Sequence, residues 1–339
     1  MTELYERIIA ADGTPGLYES NYLKGNAPDG SGAFWVKHNL LLPRQPSACP
    51  PVAELWCVVW LADDGWRPQV WKRVVPFESV TLGRDVVSLD VGPVSLGPGR
   101  AVGELPGDPP VSWDLRWQDT LPPYRHFDDD WMYERPFPRK KLVTGSPRAV
   151  FAGAIDVGGR RVSVDGWVGH RNHNWGTEHA FRYSYGACNL WHDAEDLTLE
   201  GFTVQVKVAG PLRTPWLTGV GGLDRGERYG VGSLRGMFAS AGRVRWPAWA
   251  GFVPERRGAP LHVRMELDPS HAVGLRYLHP DGQVSYCYNA KDATVVLTRG
   301  GHRSTSTAGE LEFLFPAPID GIPLHGEGTL DELAASVRP

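Results

Sequence analysis

The chain has 339 residues, enough for about two domains at ~150 residues each. Its 40 Gly and 29 Pro make up about a fifth of the sequence, which argues against a helical bundle, because these are the poorest residues for a helix interior. With 35 Lys and Arg against 39 Asp and Glu the net charge is −4, and no basic stripe is present to bind a nucleic-acid backbone.

A hydrophobic share of 42%, with 14 Trp, 11 Tyr and 11 Phe, excludes a disordered chain. Aromatic residues in that number suit half-buried strands and the walls of cavities. The first residues lack a basic segment followed by an apolar run, so no signal peptide is expected. The longest apolar run, 55–62, is far shorter than the ~20 residues of a membrane helix. Cys49, Cys57, Cys188 and Cys287 are scattered and read as reduced thiols. A cytoplasmic protein with no membrane span is expected.

In chain order, residues 3–11 predict a short helix, and residues 34–42, 54–61 and 148–156 predict strands. Residues 91–110 are rich in Gly and Pro and read as a loop within a sheet. The clearest strand is 200–208, where Phe202, Val204, Val206 and Val208 alternate with Thr203, Gln205 and Lys207. Further strands are expected at 261–267, 283–288 and 293–298. Thr329-Leu-Asp-Glu332 has the form of a capping box and starts a short C-terminal helix. Period-two alternation without helical crossovers indicates antiparallel sheets, as in sandwiches and barrels. The Pro-rich run Arg135-Pro-Phe-Pro-Arg139 places a domain change near 140–146, giving domains 1–145 and 146–339. No repeat of 20–50 residues is visible, which disfavours a propeller or solenoid.

Chemistry concentrates at 165–179. On a strand, Trp167, Arg171, His173 and Trp175 share one face, and His170, Asn172 and Asn174 share the other. The first face, carrying a cation, an imidazole and indoles, is expected to wall a ligand pocket. The plainer alternative is that His173 and Trp175 hydrogen-bond a tight corner at Gly176. A metal site is not expected, since His170 and His173 point to opposite faces and the glycines argue against a helix. Downstream, Tyr185, Asn189, Trp191 and Asp193 share a face, and Asp193 is a candidate proton donor if buried among aromatics. Glu195 and Asp196 read as a surface turn. No complete G-x-G-x-x-G within a strand–helix unit and no G-x-S-x-G elbow is present.

Three segments carry a resemblance: Tyr18–Gly30 followed by Ala33–Lys37, Gly169-His-Arg-Asn-His-Asn-Trp-Gly176, and Cys287-Tyr-Asn-Ala-Lys291. Here the sequence resembles the carotenoid 1,2-hydratase (hydroxyneurosporene synthase) and AttH-like family. The resemblance implies an all-β fold of two consecutive lipocalin-like, calycin-type antiparallel barrels. It also implies cofactor-free chemistry, because members hydrate carotenoid double bonds and related proteins accelerate cyclisations, Diels–Alder reactions among them. By this likeness His173 and Trp175 correspond to the hydratase His-x-Trp pair. The downstream Tyr-x-Asp has no clear match, the nearest residues being Tyr185, Trp191 and Asp193.

The expected function is a cyclase, isomerase or hydratase acting on an apolar terpenoid, carotenoid or polyketide in secondary metabolism. Trp35, Trp167, Trp175 and Trp191 would line the cavity, and His173 would donate or relay a proton. Arg171, Asn174 and Glu19 would orient the ligand. The alternative is a non-catalytic carrier of a hydrophobic ligand.

Overall fold

Strands with one apolar and one mixed face must bury the apolar side, and this chain does so by curling two antiparallel sheets. The computed structural model describes residues 4–45, 49–83, 88–254 and 260–337. A thirteen-stranded sheet uses strands from Leu17–Asn26 through Val168–Gly176, and an eleven-stranded sheet uses strands from Arg182–Cys188 through Leu324–His325. Each is bent into a half-barrel, which makes the fold lipocalin-like and all-β.

In the first sheet, Val168–Gly176 returns from far along the chain to pair with Leu17–Asn26, which in turn pairs with Gly32–Leu42. Gly169 permits this approach, because a Cβ there would collide with the Lys24 carbonyl. The 18-residue strand Lys140–Val157 pairs with Val168–Gly176 through its first half and with Val111–Asp119 through its second. Register shifts at Thr144/Ser146 and Ser146/Ala149 lie between those halves. Bulges bend a strand and increase its twist, so the sheet curls at this point. The second sheet repeats the device in the hairpin Val284–Arg299 and His302–Phe315, whose register shifts across Ala290, Ala293 and Val295. The strands expected at 283–288 and 293–298 are therefore one bent strand.

Alternation sorts most of the buried side chains into three larger cores, with a smaller fourth around Tyr18, Leu41 and Leu333. Phe34, Val36 and Leu40 turn into the first half-barrel with Trp113 and Phe151. Trp249, Met265, Leu297 and Phe313 fill the second. Ala33 and Trp35, on the opposite face of Gly32–Leu42, join Tyr22, Trp56, Tyr183, Tyr185 and Phe202 in a third cluster between the sheets.

The division at 145/146 falls inside the strand Lys140–Val157, and the chain passes from one sheet to the other between Gly176 and Arg182. The Pro-rich run joins the short helix Trp131–Glu134 to that strand. Proline keeps a segment out of the ladder without making it an interdomain linker. The expected N-terminal helix is instead two short 3-10 turns, Leu4–Glu6 and Ile9–Asp12. Thr329 Oγ1 accepts from Glu332 N at 3.1 Å and caps the helix Leu330–Ser336. All four cysteines are free and buried. No helix among the described residues is long and apolar enough to cross a membrane.

Candidate active site

Directly opposed residues in an antiparallel pair share a face. The ladder therefore sets Tyr22 beside Lys37 and Asn172, and Ser20 beside Asn39 and Asn174. These side chains look toward the second half-barrel, which supplies Tyr183 and Tyr185, Phe202 and Val204, Tyr277, and Glu312. Leu234 and Met237 of the helix Leu234–Ala239 and Phe127, Met132 and Phe137 enclose the sides. The cavity has a volume of about 140 Å³. That is roughly ten times the ~10–15 Å³ that holds one water, so a small organic molecule fits. Its wall combines aromatic and apolar side chains with a set of charged and amide groups, among them Lys37, Glu54, Asn172, Asn174 and Glu312.

Behind this wall lies a buried polar network that joins the two sheets. Tyr185 Oη is 2.5 Å from Glu200 Oε2, and Thr144 Oγ1 donates to Glu200 Oε1 at 3.1 Å. Asn172 Nδ2 donates to Thr144 Oγ1 at 3.1 Å and to Tyr185 Oη at 3.3 Å. Deeper in, Lys291 Nζ is 2.5 Å from Glu310 Oε1, and His170 Nε2 lies 2.9 Å from Glu310 Oε2, although out of line for a hydrogen bond. Lys24 Nζ donates to Asn189 Oδ1 at 3.3 Å and to the Ala308 carbonyl at 3.1 Å.

The two carboxyls of this network are pushed in opposite directions. Burial raises Glu200 to about 8, helped by the Glu310 charge and opposed by the Tyr185 and Thr144 hydrogen bonds. Glu200 consequently carries its proton at neutral pH. Burial also acts to raise Glu310, but Lys291 and His170 outweigh it and hold that carboxyl below its ordinary range. Burial lowers Lys24 to about 8 and His126, which faces Thr144 at 3.1 Å, to about 3. One neutral acid thus stands beside one carboxylate, the arrangement that separates proton donor from charge stabiliser.

Of the ten residues expected from sequence, Trp35, Asn174 and Tyr185 line the cavity. His173, Arg171 and Glu19 lie on the opposite face of the same strands and hold the N-terminal turns. His173 Nε2 is 2.7 Å from Glu19 Oε1, and His173 Nδ1 is 3.1 Å from the Leu4 carbonyl. Glu19 also accepts from Ile9 N at 3.0 Å and Ala10 N at 2.6 Å. Arg171 donates to the Tyr5 carbonyl at 2.9 Å and to Glu6 at 2.7 Å. Trp175 stacks on His173 with ring centroids 4.6 Å apart. Trp167 stacks on Phe34 in the first core, Trp191 belongs to the second core, and Asp193 is exposed. The partition of residues 167–175 into two faces agrees with the structure, but the face that meets the cavity is the one with Asn172 and Asn174. Sequence reasoning passed over Lys37, Glu200 and Glu312. Among the described residues no group of His, Cys, Asp and Glu side chains is placed to hold a metal.

This fold, two curled sheets facing each other across a cavity, is shared with solved proteins of very different sequence. An AttH-like protein of Nitrosomonas europaea superposes with a TM-score of 0.59 at 12% identity, covering 87% of this chain and 91% of that one. Kievitone hydratase of Nectria haematococca gives 0.55 at 10% identity over 92% and 91%. CghA gives 0.56 at 12% identity over 88% of each chain. In sequence, the uncharacterized protein Rv0493c of Mycobacterium tuberculosis is 26% identical over 309 residues, covering 88% of this chain and 87% of its own length. No family model matches the chain.

Proposed function

We propose that the chain is a cofactor-free enzyme that cyclises, isomerises or hydrates an apolar terpenoid, carotenoid or polyketide in the cavity between the half-barrels. The observation that carries this reading is the Tyr185–Glu200 pair, which sets a neutral carboxylic acid one hydrogen bond behind an aromatic cavity wall. The likeness in fold to kievitone hydratase supports it.

In this mechanism the Tyr185 hydroxyl gives its proton to a substrate alkene or carbonyl, and the Glu200 proton moves to the Tyr185 oxygen. Glu200 is left as carboxylate, with Thr144 donating to it. A positive charge formed on the substrate meets the ring faces of Trp35, Trp56 and Tyr22, which attract cations. Addition of water followed by proton loss, or loss of a neighbouring proton, returns one proton through Tyr185 to Glu200. The rigid wall also holds a flexible chain in a reactive shape, which removes entropy cost before the chemistry.

The test is to mix the purified protein with candidate polyenes and follow their absorption spectra. Wild type should change the spectrum of at least one. Glu200→Gln, which keeps the shape but cannot supply the proton, should slow that change by about 10²–10⁴-fold. Tight binding of one candidate with no change in any would favour a carrier instead.

A further inference from the structure

The cations on the cavity wall differ in how they are satisfied. Arg139 and Lys207 both meet Glu178, Lys140 donates to Tyr183 Oη at 3.3 Å, and Arg276 donates to the Leu324 and Gly326 carbonyls. Lys37 is the exception. Its side chain is mostly buried on the cavity wall, and the neighbours its ammonium meets are ring faces, with no carboxylate of a described residue within ion-pair distance. The ammonium rests 4.2 Å from the Tyr277 ring centroid and 5.3 Å from that of Trp35. Ring faces offset part of a cation's desolvation but leave its three N–H donors unused.

A second donor nearby is also unmet. Trp35 Nε1, which can only donate, is buried without a partner. The wall's acids face other donors, Glu54 toward Lys72 and Asn39, Glu178 toward Arg139 and Lys207, and Glu312 toward Tyr183, and none forms an ion pair with Lys37. Lys37 and Trp35 thus present donors to the cavity with no acceptor bonded to them. Buried donors left without acceptors carry a cost that a complementary ligand removes.

We propose that Lys37, with Trp35 beside it, forms a subsite for an anionic oxygen, so that the ligand is an apolar molecule bearing a carboxylate, enolate or phenolate. This rests on the cavity being the ligand site. Burial lowers Lys37 to about 8, with Glu312 and Glu54 opposing the fall and Lys140 adding to it. A bound anion would keep the ammonium charged, and the paired charge would orient the apolar remainder along the aromatic wall.

Two fluorescent probes of nearly equal shape separate the possibilities: 1-anilinonaphthalene-8-sulfonate, which is anionic, and N-phenyl-1-naphthylamine, which is not. Wild type should bind both, and the anionic probe more tightly. Lys37→Met should weaken the anionic probe at least tenfold while changing the neutral one less than twofold. Lys37→Arg should restore most of the anionic affinity. Circular dichroism and a thermal melt confirm that each variant is folded. Unchanged binding of both probes to Lys37→Met, or equal weakening of both, overturns the subsite. Failure of wild type to bind either probe overturns the cavity as ligand site, and the subsite with it.

Discussion

Two buried carboxylate–histidine groups use opposite faces of the strand Val168–Gly176, through His173 on one and His170 on the other, and they resemble each other only in composition. Around Glu19 and His173 every carboxylate and imidazole hydrogen bond leads to backbone of the N-terminal turns or to the partner side chain. That group has no atom left over and no opening to a cavity. Around Glu200 and His170 the network ends on one side at Tyr185, whose ring lines the cavity, and leaves His170 Nδ1 and Glu310 Oε2 without aligned partners. Closed hydrogen bonding fixes structure. A network with a proton to give and a face to give it through can also do chemistry.

The largest effects should separate the two groups by kind. Glu200→Gln is expected to slow turnover by about 10²–10⁴-fold and leave the chain folded. Glu19→Ala should do the reverse, because it strips His173 and two backbone amides of their acceptor. Breaking a buried pair in this way costs roughly 3–5 kcal/mol. A denaturant titration of Glu19→Ala that matched wild type would dissolve the distinction, as would a turnover loss in that variant at full stability. His173→Ala should follow Glu19→Ala, with lost stability and an unaltered choice of ligand.

A smaller effect is visible in pH dependence. Burial holds folded Glu200 at about 8, above its ordinary 4.5, so between these values the native chain binds more protons than the unfolded one. Its stabilising share is complete below about pH 4.5 and is lost as pH rises through 8, on the order of a few kcal/mol in all. Buried His126, His38 and His279, pulled down to about 3, 4 and 4, act in the opposite sense below 6.5. From pH 6.5 to 8 the Glu200 slope is therefore the one to follow. Denaturant midpoints measured across that range should fall in wild type and flatten in Glu200→Gln. Equal slopes would mean that Glu200 is ionised in the folded chain.

The difference between the groups also explains what was legible in the sequence. Period-two alternation located the strands at 34–42, 54–61 and 261–267 to within a few residues, because burial of one face dictates that pattern. It also sorted residues 167–175 into their two faces. It could not tell which face meets the cavity, since that depends on the N-terminal turns, dozens of residues away, covering the other side. Glu200 looked like the first residue of an ordinary strand, and its pKa is raised mainly because the two sheets bury it, with the charge of Glu310, more than a hundred residues later, adding to the effect. Lys37 did leave a signal. A lysine at the same parity as Trp35, in a strand whose neighbouring residues Phe34 and Val36 are apolar, must either pair or remain available.

The smallest expected effect concerns Asp193, which the sequence places in the position of a downstream acid. It is exposed in a turn beside Ala194 and Glu195, where water solvates a carboxylate and no low-dielectric wall raises its proton affinity. Asp193→Asn should change stability by no more than about 0.5 kcal/mol, as surface substitutions usually do. Turnover should stay within twofold, read from the same polyene spectra. A loss as deep as that of Glu200→Gln would reverse the assignment. The proton would then come from the second half-barrel's surface turn, and the turn would have to move to reach the substrate. The buried network beside Tyr185 would in that case serve, like Glu19 and His173, to hold two parts of the chain together.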